Sequence, residues 1–304
     1  MPEHAEIRLL AEFFNENISE RKIVKAEKNP VAKRNVDLSW LTGSCSAVAT
    51  SRGKEFKLTF KKADEEKKMI LTFSKVGSIR WINSINDVDH KFGDLVVFHL
   101  DDGSAFTLFD FTRWSTWRWD DWASDRGPDP ILEHAEFRDN FWKRRKYEFI
   151  NKRPVFQVMM HQSYFNGVGN VLRCEILGRC SFSPFTTFGE ILENEKFREE
   201  LFETTKSVLT ECYDVGGLQF AHWKNPYGRT RDELKVFLRF YNNKVKCFFA
   251  IDVCNKNQKF WYDKFWSMEY FKWTERSDLP ATTLTRRIYR ENQLKQLRKK
   301  KSKD

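Results

Sequence analysis

Hydrophobic positions along this 304-residue chain change period more than once. Near the start, Ile7, Leu10, Ala11, Phe14 and Ile18 recur at three- and four-residue steps, the stripe of an amphipathic helix. Pro2 suits the first helical position, where its missing N–H costs nothing, and Glu3 and Glu6 suit the first turn against the helix dipole. From Val24 to about Trp119 the pattern turns to short runs rich in Val, Ile, Phe and Trp, parted by polar or Gly-containing turns. Segments 45–50, 55–61, 68–73, 78–83, 95–99 and 105–111 read as strands of a sandwich or barrel. Arg126-Gly-Pro-Asp-Pro130 is the clearest break. Residues 131–213 then read as helices, and Val236–Phe240 with Val245–Val253 as a hairpin turning at Asn242-Asn243, followed by Phe260-Trp261-Tyr262. The predicted class is α+β: helix, β-sandwich, linker, helical region, small β element and basic tail.

Composition narrows the class. Aromatics make up 15% of the chain, with 28 Phe and 11 Trp, which excludes disorder for most of it. No apolar run reaches the roughly 18 residues of a membrane span and no signal peptide opens the sequence, so an intracellular or organellar protein without membrane association is expected. The net charge of +10 is unevenly spread: nine Lys/Arg from Arg286 onward face only Glu291 and Asp304, leaving about +3 for the rest. That stretch reads as a flexible polybasic arm or nuclear-import signal, and a nearly neutral body does not by itself indicate nucleic-acid binding. The six cysteines contain no C-x-x-C pair, so buried free thiols are expected; Cys247 and Cys254 lack the second pair a zinc site needs.

The helical region holds Asn166-Gly-Val-Gly-Asn170 between two apolar-periodic segments. Two glycines permit a sharp reversal and close backbone approach, and Asn170 reads as the N-cap of the following helix, whose free N–H groups suit a phosphate. From this turn alone, a helix–turn–helix corner with a capping Asn and no ligand is the favoured reading.

Three separated motifs, in order, resemble the formamidopyrimidine-DNA glycosylase / endonuclease VIII family. That family opens M-P-E-G-P-E-L, and this chain opens Met1-Pro2-Glu3-His4-Ala5-Glu6-Ile7. Ser51-Arg52-Gly53-Lys54 is similar to its R-G-K, and His161-Gln162 through Asn166-Gly-Val-Gly-Asn170-Val-Leu-Arg173-Cys-Glu175-Ile-Leu177 to its helix–two-turn–helix. The resemblance runs to about residue 266 and is strongest to the endonuclease VIII-like branch with a zincless finger, because the Cys quartet is missing where the aromatic-rich hairpin sits. It implies a catalytic sandwich domain over 1–125, a linker over 126–150, a helix–two-turn–helix domain over 151–235, a finger over 236–266 and an extension with a disordered basic tail over 267–304.

The resemblance also implies a bifunctional enzyme that removes oxidised bases and cleaves the abasic site by elimination, with no cofactor and no metal. Pro2, once Met1 is removed, supplies a secondary amine whose iminium adduct remains an electron sink. Glu3 protonates the sugar ring oxygen and shuttles protons, and Glu6 positions the amine or a water. Lys54, Asn170 and Arg173 clamp phosphates flanking the lesion, and Tyr227 lies in the lesion-recognition loop. The chain departs from the family where a base gap is filled. Lys75 stands in the M-S-G segment and Thr112-Arg113-Trp114 replaces R-R-F, leaving Trp114 as the wedge. The finger Arg is Gln258 or, with a one-residue shift, Lys259, neither of which forks onto phosphate. A module that binds damaged DNA without excising bases is the alternative. The expected partner is damaged DNA (duplex, bubble or single-stranded), the expected state a monomer, and the expected place the nucleus or wherever DNA is kept.

Overall fold

The computed structural model describes residues 2–33, 36–88, 93–144, 148–218, 225–227 and 237–275. The expectations for the basic tail, Val236 and most of the loop after residue 218 lie outside them. Helix α1 (His4–Ile18) buries the five stripe residues read from the sequence. Eight strands follow: β1 (Ile23–Lys28), β2 (Ser46–Arg52), β3 (Glu55–Lys62), β4 (Glu65–Thr72), β5 (Ser78–Ile82), β6 (Asp94–Leu100), β7 (Ala105–Phe109) and β8 (Thr116–Trp119). They form two antiparallel sheets, ordered β1-β6-β7-β5 and β2-β3-β4-β8, so the sandwich holds and the barrel does not. Strand β3 shows why: Phe56, Leu58 and Phe60 are fully buried and alternate with polar Lys57, Thr59 and Lys61. Phe60 stacks on Phe98 of the other sheet, and Phe14 of α1 meets Phe56 and Phe106 edge-on, tying helix and both sheets into one core.

The second core is helical. It contains α2 (His134–Arg144), α3 (Glu148–Asn151), α4 (Val155–Val158), α5 (Asn170–Arg179), α6 (Phe188–Glu193) and α7 (Glu195–Asp214), closed by a hairpin of β9 (Cys247–Asp252) with β10 (Gln258–Asp263), and then α8 (Ser267–Glu275). Its interior is aromatic: Phe137, Phe141, Phe156, Phe165, Phe188 and Phe260 lie in one buried cluster. Ala5 belongs to this cluster while Ile7 and Leu10 belong to the first, so α1 enters both cores within a few residues. No helix among the described residues is long and apolar enough to cross a membrane.

Several expectations need correction. Pro2 precedes the helix, and Glu3 is the N-cap with extended backbone. Asn170 is the first helical residue of α5, with Gly169 as N-cap. The hairpin is not the one predicted: β9 pairs with β10, from Cys247↔Asp263 to Asp252↔Gln258, while Asn242-Asn243 lies in a loop outside any strand. The reason is the buried Glu175 carboxylate, which accepts the N–H groups of Arg239, Phe240 and Tyr241 and so takes the donors a strand there would use. Strands β1 and β8 were not anticipated.

Candidate active site and nucleic-acid interface

The seam between the cores gathers the residues of the opening motif, the Arg52-Gly53-Lys54 turn and the Gly-Val-Gly turn before α5. Glu3 is 5% exposed and its carboxylate accepts three backbone N–H groups at the start of α5: Gly169 at 2.9 Å, Val171 at 3.1 Å and Leu172 at 3.1 Å. These are donors that a helix leaves without an intrahelical partner, and an anion there also faces the positive end of the dipole. Gly169 is required by space, because a Cβ at that position would lie 2.4 Å from the Glu3 carboxyl carbon.

Glu6 lies one turn on, accepting from the Glu3 N–H at 2.7 Å and from the Leu218 N–H. Burial first, and the negative charge of Glu3 second, push its carboxyl up to about 7. Lys54 is 6% exposed, and its ammonium donates to the Val168 carbonyl at 2.7 Å. Burial pushes that ammonium down to about 8, opposed by Glu3 and Glu6. Pro2, which precedes Glu3 in the chain, is also buried. Two carboxylates and a lysine of lowered basicity thus share one buried corner, the setting in which protons move near neutral pH.

The residues expected to contact DNA are less uniform. Asn170 accepts from Arg173 at 2.7 and 3.1 Å through its side-chain oxygen and donates its amide to the Lys259 carbonyl at 3.1 Å. Arg173, expected on the phosphate clamp, is wholly buried: its guanidinium pairs with Asp252 of β9, donates to the Phe156 carbonyl at 2.9 Å and lies over the Phe260 ring. It orients Asn170 and joins α5 to the hairpin, and no part of it faces solvent. Asn170, Gln258 and Lys259 line a cleft of about 780 Å³ with Tyr241, Phe249 and Trp261, and the Lys259 ammonium sits 4.6 Å from the Phe249 ring centre. The Oε1 of Gln258 is buried without a hydrogen-bond partner.

On the other side, Trp114 is 73% exposed with the Lys33 ammonium 4.9 Å from its ring centre, and Lys75 is exposed. The Arg113–Trp114 loop hangs from buried Asp110, which accepts the N–H groups of Thr112, Trp114 and Ser115. Arg113 takes a left-handed backbone, φ +60°. Tyr227 packs edge-on against Phe13 of α1 and donates its hydroxyl to Glu16 at 3.0 Å. Burial and Glu16 hold its phenol well above the ordinary range. Cys247 is buried, its thiol pushed up to about 12 by burial, and Cys254 is exposed; among the described residues no group of three or more His, Cys, Asp or Glu side chains gathers to hold a metal.

Sequence reasoning missed the buried acids that organise this region: Asp110, Asp129, Glu175 and Asp252. Their signal was a carboxylate inside an otherwise apolar or Gly/Pro-rich stretch, as in Leu172-Arg-Cys-Glu175-Ile-Leu and Gly127-Pro-Asp129-Pro.

Residues 1–117 match the family model described as formamidopyrimidine-DNA glycosylase N-terminal domain. Human Endonuclease 8-like 1 is 26% identical over 244 residues, covering 71% of this chain and 62% of that protein. Formamidopyrimidine-DNA glycosylase of Caulobacter vibrioides is 32% identical over 131 residues, 40% of this chain and 43% of that protein. In three dimensions the chain is similar to Lactococcus lactis Fpg (MutM) crystallised with an oxidised-pyrimidine-containing DNA, at a TM-score of 0.69 and 16% identity, covering 87% of this chain and 98% of that one. Residues 1–117 thus match the N-terminal domain of formamidopyrimidine-DNA glycosylase, and the chain has the fold of Fpg (MutM) over 87% of its length. It spans 62% and 51% of the lengths of the human and mouse Endonuclease 8-like 1 proteins it matches.

Proposed function

We propose that this protein is a DNA glycosylase with abasic-site lyase activity that excises oxidised bases from damaged DNA. The observation that carries the reading is that Glu3, on the start of α5, Glu6, on the Glu3 N–H, and Lys54, on the Val168 carbonyl, meet at the seam, with buried Pro2 next to Glu3 in the sequence. They do so in a chain whose residues 1–117 match this family's N-terminal domain. With Met1 removed, the Pro2 nitrogen attacks the sugar C1′, forming the C–N bond as the bond to the damaged base breaks. The departing base leaves as an anion and takes a proton from water. The Pro2 nitrogen, now an ammonium, gives its proton to the Glu3 carboxylate, which passes it to the ring oxygen as the ring opens to an iminium between C1′ and Pro2. Loss of a C2′ proton expels the 3′ phosphate, and a second elimination expels the 5′ phosphate. Water then hydrolyses the iminium and frees the amine. Glu6, poised near neutrality, exchanges protons with Glu3. Lys54 supplies positive charge beside the reacting sugar and its phosphates, and Asn170 offers its amide to the backbone of the strand. Apart from water and the DNA itself, the reacting groups belong to this chain, acting as a monomer wherever DNA is kept.

Borohydride trapping on an abasic oligonucleotide tests the reading. A covalent adduct that disappears in Pro2→Ala is expected. The competing reading, a module that binds damaged DNA without excision, draws support from the sealed Arg173 and from Gln258 in place of a phosphate-forking Arg. Binding without a trapped adduct would establish it.

A further inference from the structure

His4 and Asp129 are 2% and 1% exposed, and neither belongs to the machinery described so far. The Nε2 of His4 lies 2.9 Å from both oxygens of Asp129. The same carboxylate accepts the Gly53 N–H at 2.8 Å, and those of Ile131 and Leu132 at 2.9 and 3.0 Å. Four donors from three segments therefore meet on one linker acid. Each segment has a bearing on the corner. His4 directly follows Pro2 and Glu3, Gly53 directly precedes Lys54, and Ile131 and Leu132 open the chain into the second core.

The same segments dock on a single turn of the other half. The His4 N–H donates to the Gly167 carbonyl at 3.1 Å, the Lys54 ammonium to the neighbouring Val168 carbonyl, and the Asn166 amide to the Gly127 carbonyl of the linker at 2.9 Å. Gly53, at φ +60°, leaves no room for a Cβ, which would fall 2.0 Å from the Asn166 side chain. The position of Lys54 relative to Pro2 and Glu3 is thus set through Asp129. The tether at His4 runs through one ring nitrogen, since Nδ1 is buried without a hydrogen-bond partner. In the opening motif that the chain resembles, Gly stands where this chain has His4, so this tether is a feature of the present sequence.

We infer that the His4–Asp129 pair is a latch that positions the Pro2–Glu3 terminus against the Lys54 turn for the chemistry proposed above. Both are positioning residues: neither reaches a reacting atom, and their effect passes through the backbone they hold. The inference rests on the proposed lyase reading, and its experiment separates the two. Trapping on an abasic oligonucleotide is measured at saturating DNA for wild type, His4→Ala and His4→Gln, with DNA affinity measured separately. Gln is chosen because its amide can still donate to Asp129. His4→Ala is expected to slow trapping tenfold or more while Kd stays within threefold, and His4→Gln to return within threefold of wild type. A ¹³C NMR titration of the Lys54 Cε gives a readout without turnover. Its midpoint, expected near 8 in the wild type because of burial, should rise by a unit or more in His4→Ala as burial relaxes, and stay put in His4→Gln. His4→Ala trapping within twofold of wild type, His4→Gln as slow as His4→Ala, or an unmoved Lys54 midpoint overturns the latch. If His4→Ala does not fold, His4→Gln decides: recovery within threefold supports the latch and a loss beyond tenfold overturns it. Wild-type protein that traps nothing overturns the lyase reading and leaves the Lys54 titration to judge the latch.

Discussion

Glu3, Lys54 and Asp129 at the seam are 5%, 6% and 1% exposed and bonded across several segments, whereas Trp114 at the rim is 73% exposed with a single lysine over its ring. A buried charge must be satisfied, so Glu3 and Asp129 are held by several donors and Lys54 by the Val168 carbonyl, and replacing any of them disturbs chemistry and stability together. An exposed aromatic ring is held by its loop alone and can change without disturbing the interior. The departures from the motifs the chain resembles, Lys75 and Trp114, fall on exposed side chains, where substitution carries little structural cost.

The largest expected effect breaks the seam at its acid. Glu3→Gln should cut excision of an intact damaged base by about 10²- to 10⁴-fold, the scale of a lost general acid, while leaving measurable lyase activity on a preformed abasic site, whose aldehyde is already partly open. Equal loss of both activities, in single-turnover assays, would falsify that division of roles. Arg173→Ala comes next. Removing one partner of the buried pair with Asp252 leaves an uncompensated charge and should cost about 3–5 kcal/mol in urea unfolding. A cost near zero would mean the pair does not hold α5 to the hairpin.

The third prediction concerns pH. The folded-state carboxyl of Glu6 lies near 7 against an ordinary 4.5, so the native state binds the extra proton between those values. Its favourable contribution is complete below about 4.5 and is lost as pH rises through 7. Wild type should therefore lose stability relative to Glu6→Gln across that window, by up to about 3 kcal/mol. Parallel stability curves for the two proteins would show that Glu6 ionises normally.

The smallest effect belongs to the rim. Trp114→Ala should weaken single-strand binding by about 1–3 kcal/mol, the scale of one stacked base, with unfolding unchanged. Because one wedge replaces the usual set, excision from single-stranded or bubble DNA should match or exceed excision from duplex. A duplex rate tenfold or more above the single-strand rate, a difference of about 1.4 kcal/mol in barrier, contradicts this.

Much of this was open to a reading of the sequence. The α1 stripe, six of the eight sandwich strands and the three motifs are local patterns, in which a residue's type and its spacing to near neighbours decide the outcome. Strand β1 escaped because Ile23-Val-Lys-Ala-Glu-Lys alternates weakly, and β8 because Thr116-Trp-Arg-Trp is only four residues long. The hairpin was misplaced for a different reason: Phe237–Tyr241 has the composition of a strand, but Glu175, more than sixty positions earlier, claims its N–H groups. The sequence by itself determined the α1 stripe, six of the eight sandwich strands and the three motifs that carry Pro2, Glu3, Lys54 and Asn170. Only the tertiary structure decided that Arg173 is buried, that Asp129 holds the Lys54 turn, and that Glu6 and Lys54 are displaced from ordinary basicity. Those properties depend on which donors, charges and apolar walls arrive from distant segments, and a buried carboxylate or ammonium takes its character from that company.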